Sequence, residues 1–297
     1  MRTSRNWSGI LNGVRAGLLS VAVVVVALAG ATRLAAQTPE ETPQATPPDG
    51  GVDAAGTPAA EDATRTAGGA LRLFMVSRDY RTIRQLKGVM TAGLQTRYDH
   101  DSAPFNGKRG NRLAVFDFGE KDLKPVRSPA KGSTAQQAFL ATVRSLWEEQ
   151  GEATEKRVES ITVKQQEDGL WRISDLKIAT TDKIRFADAV NGVTTLRMVL
   201  RAWTRGDAVA ARPHLADAFL RRSPARDEAI RSLFAPAEGR RHAAYEIVDM
   251  TPQGTTVAVA RVRLYETVIG EPGPIDGRAQ TLKLERKGSR WILDSWD

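Results

Sequence analysis

A few short stretches hold side chains whose types and spacing could do chemistry. Tyr98-Asp99-His100-Asp101 packs a phenol, an imidazole and two carboxylates into four residues, the makings of a metal site or an acid/base cluster. His214 with Asp217, and Tyr245 with Asp249, are polar pairs of the kind that exchange protons when held away from water. Arg205-Gly206-Asp207 spells a cell-adhesion tripeptide. Each has a plainer reading. The Tyr98–Asp101 run falls where a polar loop between helix and sheet is expected, and three histidines in the whole chain leave few partners for a metal. His214 follows a proline among Ala and Arg, as an exposed helical residue would. Gly206 and Asp207 serve as the stop of one helix and the cap of the next. No Gly-rich phosphate loop follows a strand, no Gly-x-Ser-x-Gly elbow occurs, and there is no cysteine for nucleophilic or zinc work. The residues therefore assign no catalytic, cofactor-binding or metal positions.

The elements that would position such groups come in two sets. ALRLFMVSRDYRTIRQLKGVMTAGLQTR from Ala70 lies over TLRMVLRAWTRGDAVAARPHLADAFLRR from Thr195 at a constant offset of 125, with Leu71/Leu196, Arg72/Arg197 and Arg97/Arg222 identical and Met90/Leu215 among the matched apolar positions. In the second set Val193, Leu196, Val199, Leu200 and Trp203 recur at helical steps, Val209, Leu215 and Phe219 mark a second helix, and RDEAIRSLF from Arg226 a third. The period then changes to two. TTVAVARVRLYET (255–267) puts Ala258, Ala260, Val262 and Leu264 on one side, and YEIVDM, AQTLKLERKG and RWILDSWD complete a four-strand antiparallel run separated by turn residues.

The first set contains one conflict. AQQAFLATVRSLWEEQG from Ala135 reads as a helix by itself, because Phe139, Leu140, Val143, Leu146 and Trp147 fall at helical spacing. Yet VRSLWEE from Val143 overlies VRLYET from Val262 with one extra residue, so the repeat predicts a strand carrying a bulge. FDFGEKDLKPV, VESITVKQQ and LWRISDLKI are then its neighbours. DGLWRISDLK and GSRWILDSWD close the two sets, with Trp171 and Trp291 120 positions apart.

Residues 1–36 carry four Arg, no acid and the apolar run 16–31, the order of a signal peptide, or of a membrane anchor if it is not cleaved. Residues 37–66 hold five prolines and six acids with one large apolar side chain, which reads as a disordered tether. The expected domains are 67–182 and 183–297. Export to the periplasm or the cell exterior follows, with no disulfide available and stability left to the cores. Residues 67–297 hold 38 basic and 29 acidic side chains, a net of +9, but no basic run is interleaved with aromatics, so no nucleic-acid partner is expected.

A helical start, a Gly-Asp turn at 206–207, a second helix and a curved antiparallel sheet closing on KGSRWIL resemble the nuclear transport factor 2-like, or cystatin-like, α+β family. The first set departs from it with Arg81 and Thr82 at the turn. The resemblance implies two tandem domains, each with N-terminal helices on a sheet of about four strands. It covers enzymes such as isomerases, dehydratases and polyketide cyclases, which work in the cone between helices and sheet, and also silent assembly modules. The inward strand face of the second set is hydrocarbon, so the expectation is a non-enzymatic envelope protein presenting two modules to a protein or cell-wall partner. The alternative is small-molecule binding or lyase/isomerase activity in a hollow cone. Strand parity sets Val257 and Val259 beside Ile292 and Trp296 on the outer face of the second sheet. That candidate contact surface would be covered by the first domain, a second copy or a partner, unless Trp296 folds back over its own sheet.

Overall fold

The computed structural model describes residues 62–126, 137–217 and 226–297. The expected signal and nearly all of the expected tether lie outside these residues, as does Phe219. Among the described residues no helix is long and apolar enough to cross a membrane. Ordered structure begins before the expected boundary at 67. The Thr64 carbonyl accepts from the Trp171 amide at 2.8 Å, and the Thr66 hydroxyl caps the first helix by accepting from the Gly69 amide at 3.0 Å.

The chain is α+β. Helices α1 (Ala67–Asp79), α2 (Ile83–Gly88), α3 (Ala92–His100) and α4 (Ala103–Asn106) precede strands β1 (Asn111–Asp117), β2 (Leu123–Pro125), β3 (Ala138–Glu149), β4 (Glu152–Gln165) and β5 (Trp171–Lys183). Helices α5 (Val193–Thr204), α6 (Ala208–Ala211) and α7 (Arg226–Phe234) then lead to β6 (Arg240–Gln253), β7 (Val257–Val268), β8 (Arg278–Lys287) and β9 (Arg290–Trp296). The order β1-β3-β4-β6-β7-β8-β9, with β2 on β3 and β5 on β4, makes one nine-stranded sheet. Its pairings are antiparallel except for a single parallel bridge between Glu152 and Tyr245, which joins the two runs that the sequence reading kept as separate sheets.

The segment that reads as a helix locally is the strand β3. Ala141, Val143 and Trp147 enter the first core while Leu146 faces the other way, so burial on both faces overrides helix propensity. The expected bulge is displaced. Leu113 and Val115 of β1 pair with Trp147 and Leu146, and Trp147 and Glu148 pair with Glu155 and Ala153 of β4. The extra residues are therefore Ala114 and Thr154 on the neighbouring strands, and β3 itself runs straight through.

Two cores form, one from Leu71, Phe74, Trp147 and Ile173 with their neighbours, the other from Leu196, Trp203, Phe234 and Leu293 with theirs. Positions that the sequence aligns make the same contacts in each. Met90 bridges Ile173 and Leu215 bridges Leu293, with the following amides, Thr91 and Ala216, donating to the strand carbonyls at 2.9 and 2.8 Å. Helices α1 and α5 both end on a left-handed residue, Arg81 (φ +55°) and Gly206 (φ +67°), which are 125 positions apart. The second helix of the later set is shorter than expected. It stops at Ala211 and passes into a 3₁₀ turn, Arg212–His214, and Val209 is 82% exposed rather than in the core.

A third, small cluster joins the two halves. Leu146 and Ala153 of the first half meet Ala243, Ala244, Tyr265 and Ile275 of the second. Around it two bidentate ion pairs cross reciprocally. Arg72 of α1 grips Glu271 at 2.8 and 3.1 Å, and Arg197 of α5 grips Glu152 at 2.8 and 3.1 Å, and these arginines are a pair matched in sequence. The β3–β4 turn closes the joint. Gly151 (φ +87°) accepts from the Tyr245 amide at 2.9 Å and lies so near α5 that a Cβ there would be 2.9 Å from Thr204 Oγ1.

The closing tryptophans should differ in weight. Trp171 is 6% exposed and tilts against Phe139 at 5.4 Å, whereas Trp291 is half-buried over Gly192. Trp171→Ala is expected to cost about 3–5 kcal/mol and Trp291→Ala about half that, in urea titrations. Equal losses would contradict the packing. Gly151→Ala should cost about 1–2 kcal/mol from backbone strain plus a steric part. Thr204→Ala in the same chain should return only the steric part, and a cycle with no coupling would contradict the close approach.

Candidate functional site

Helix α5 and its C-cap carry Met198, Arg201 and Arg205 three and four residues apart, so they share one face. That face looks across a cleft of about 1020 Å³ at the end of α1 (Asp79, Tyr80, Arg81), at Arg112 of β1, at the turn residues Glu148, Gln150 and Gly151, and at Arg241 of β6. Five arginines thus meet two carboxylates. Both acids lie on the floor. Asp79, with 2% of its side chain exposed, pairs with Arg241, and Glu148, with 6%, accepts from Arg112 Nε at 2.7 Å and from the Gly151 amide. The walls presented to solvent are cationic and partly apolar, with Tyr80 48% and Met198 45% exposed.

Two features mark the cleft as unlike ordinary surface. Arg81 and Gln150 (φ +53°) are the only non-glycine residues with positive φ among the described residues, and both line it. Such backbone persists where surrounding contacts over-determine it. Here the Arg81 guanidinium donates to the Asn111 carbonyl at 2.5 Å, and Gln150 is held in the tight β3–β4 turn. The other feature is unmet polar demand. Asp79 Oδ1, Arg201 Nε and Arg241 Nε are buried without a hydrogen-bond partner among the described residues. Burial pushes the Asp79 carboxyl up to about 6, against the opposing pull of Arg241.

Below the cleft, in the first core, a charged pair is fully enclosed. Arg78 binds Glu159 in bidentate fashion at 2.8 and 2.9 Å, both side chains 0% exposed, and gives Nε to the Phe105 carbonyl at 2.7 Å. Arg157 pairs with Glu155 at 2.7 Å and its guanidinium lies 4.3 Å from the Trp147 ring centre. These donors and acceptors are largely spent on one another, and such an arrangement resists loss of either partner more than it adds stability.

The chemistry-bearing residues of the sequence disperse. Tyr98 and His100 belong to the last turns of α3, not to a loop. Tyr98 packs edge-on to Phe105, its hydroxyl accepts from Asn106 at 2.8 Å, and His100 is exposed. Asp99 pairs with Lys87 at 2.5 Å, and Asp101 caps the Ala103 amide at 3.0 Å. His214 is half-buried at the cleft edge, its imidazole pushed below the usual range by burial and by Arg290, while Asp217 is exposed. Tyr245 points inward, its hydroxyl 3.3 Å from Glu152, and burial first and Glu152 second push it well above the ordinary phenol range. Asp249 instead pairs with Arg261. Asp207 caps α6 through the Ala210 amide at 2.9 Å, as the helix-stop reading expects. Among the described residues no cluster of three His, Cys, Asp or Glu side chains is placed to hold a metal.

The expected contact surface needs correction. Val257, Val259 and Ile292 do lie on the face away from the core residues Ala258 and Ala260, but β8 runs between β7 and β9. It sets Glu285 between Val257 and Ile292, and Lys283 beside Val259, so charge interrupts the patch. Trp296 is on the opposite face. Asp294 is an extra residue in the β8–β9 pairing, which reverses the parity after Leu293, pairs Trp296 with Leu282 and stands its ring edge-on to Phe234 at 6.0 Å. The outer face that the first half covers is farther along, at Ala244 and Tyr265.

The cleft residues were missed because they come from six separate segments of the chain. One signal was available in Arg197-x-x-x-Arg201-x-x-x-Arg205, a cationic stripe along a helix whose other face is core. Another was Glu155, Arg157 and Glu159, charges at alternate strand positions and hence on one face.

No protein-family model and no curated protein matches the chain. Among solved structures it is similar to one described as an "Ntf2 like protein involved in plasmid conjugation", at 9% identity and a TM-score of 0.27, over 63% of this chain and 75% of that one.

The raised Asp79 pKa sets the sign of a pH effect. Stability contributed by the protonated carboxyl is fully present below the unfolded value of 3.8 and is lost as pH rises through about 6. Asp79→Asn cannot titrate there. The unfolding free energy of the native chain minus that of the variant should therefore fall by about 2 kcal/mol between about pH 4 and pH 7. A flat difference in urea titrations would place Asp79 in a solvated setting.

Proposed function

We propose that the chain is an exported, non-enzymatic binding protein of the cell envelope, built as two nuclear transport factor 2-like units that face each other and offer the arginine-lined cleft between them to a protein or cell-wall partner. The cleft carries this reading. Its cationic walls, its two left-handed residues and its half-exposed tyrosine and methionine form a concave surface suited to recognition. The matched bridges Met90–Ile173 and Leu215–Leu293, the matched helix ends at Arg81 and Gly206, and the reciprocal Arg72 and Arg197 ion pairs support the two-unit reading. The basic, apolar, small-residue order of 1–36 supports export. Packed cores in both units, with the Arg78–Glu159 pair saturated inside the first, favour binding at the junction over chemistry in either cone.

One observation favours a second reading. A buried carboxyl poised near pH 6 beside a large cleft is what a proton-transferring site would use, so Asp79 would be the base of a small-molecule enzyme.

Site-specific photocrosslinking in the producing cells separates the two. With the crosslinker at Ala210, which lines the cleft, a discrete adduct is expected with an envelope component and the chain is recovered with the envelope. With it at Ile178, on an exposed part of β5, the adduct is absent. Recovery in the cytoplasm, or identical adducts from both positions, overturns the proposal.

A further inference from the structure

Resting on that reading of the cleft, we infer that its ligand is an extended acidic peptide segment with carboxylates at alternate positions and an apolar residue two positions beyond them. The cleft arginines are not equivalent. Arg112 is engaged by Glu148, Arg241 by Asp79, and Arg81 by the Asn111 carbonyl. Arg205 and the half-buried Arg201, which is also set against the Tyr245 hydroxyl, make no ion pair with any carboxylate among the described residues, and they lie one helical turn apart on the face of α5 that lines the cleft. Their Cβ atoms are then separated by roughly 5–6 Å. In an extended peptide, side chains at positions i and i+2 point the same way about 6.6–6.8 Å apart, which matches that pair once the long guanidinium stems adjust.

Met198 continues the same face toward the N-terminus of α5, three residues before Arg201. The next same-side residue of the peptide would fall on its thioether. The intervening residues would point toward Tyr80, whose ring also carries Arg241 at 5.4 Å. The acids on the floor, Asp79 and Glu148, are nearly enclosed and each is paired with an arginine, which offsets their repulsion of a carboxylate above them. A nucleic acid fits less well. It needs a track of phosphate contacts and stacking platforms, and the cleft offers two separate rings, Tyr80 and His214, and two arginines that make no ion pair among the described residues.

The test uses the full chain and a labelled hexapeptide with leucine, glutamate and glutamate at alternate positions separated by serine, followed by fluorescence anisotropy. Saturable binding is expected that weakens with salt and is lost when the glutamates become glutamines. Loss of one charge-assisted contact should weaken it roughly tenfold in Arg205→Gln. Met198→Glu should weaken it further by repulsion. Both positions are exposed, so the thermal unfolding of the variants should match the native chain and exclude a folding defect. Equal affinity for a peptide with adjacent glutamates, no effect of Arg205→Gln, or equal displacement by polyglucuronate or inorganic phosphate overturns the inference. If the peptide does not bind but the photoadduct from position 210 persists, the peptide class alone is wrong. If both fail, the cleft is not the binding surface and the proposed function falls with it.

Discussion

The close approach at the β3–β4 turn is the constraint on which the arrangement of the two halves depends. Gly151 reaches α5 without a side chain, hands its carbonyl to Tyr245 of β6 and its amide to Glu148, and is followed by Glu152, which holds both Arg197 and the Tyr245 hydroxyl. One turn thereby touches the helix, the strand and the arginine stripe of the other half. With that distance set, Leu146 and Ala153 can close on Ala244 and Tyr265, and the ends of α1 and α5 are left facing each other across a gap.

That gap is where the polar character of the molecule collects. Each interior is packed with hydrocarbon against its helices, and the charges enclosed in the first one pair with each other: Arg78 with Glu159, Arg157 with Glu155. A buried ion pair of this kind contributes little net stability but penalises any arrangement that separates it. It pins α1 to β4 and fixes the direction in which α1 ends. The residues immediately after Arg78, namely Asp79, Tyr80 and Arg81, emerge into the cleft. The left-handed backbone at Arg81 costs energy that the glycine at the corresponding end of α5 does not, and the return is a guanidinium on the cleft wall held by Asn111.

Cleft electrostatics follow from layering. The floor is a set of carboxylates matched to arginines and shielded from solvent, which explains the raised Asp79 carboxyl: desolvation outweighs its pairing with Arg241. Above that neutralised floor stand Arg201 and Arg205, which have no ion-pair partner among the described residues. Charge excess spread over the whole chain in the sequence becomes, in this one place, a local cationic surface with apolar neighbours.

The sequence by itself determined what depends on neighbours along the chain or on simple periodicity. The helical stripe from Val193 to Trp203, α7 from Arg226, the alternation of β7 and the Gly206–Asp207 stop and cap are all as the residue pattern requires, because each is a local match between side-chain period and one buried face. Even the strand at 138–149 was legible once two segments were compared, although its own composition favours a helix. Tertiary structure alone decided the rest. Whether Trp296 faced in or out depended on one extra residue at Asp294, and whether Val257 reached Ile292 depended on which strand ran between them. The cleft needed six separated segments brought together around a single turn, and the Asp79 carboxyl was raised by burial that no neighbour in sequence supplies. Parity, adjacency and desolvation are properties of the assembled sheet and its contacts, so no window along the chain contains them.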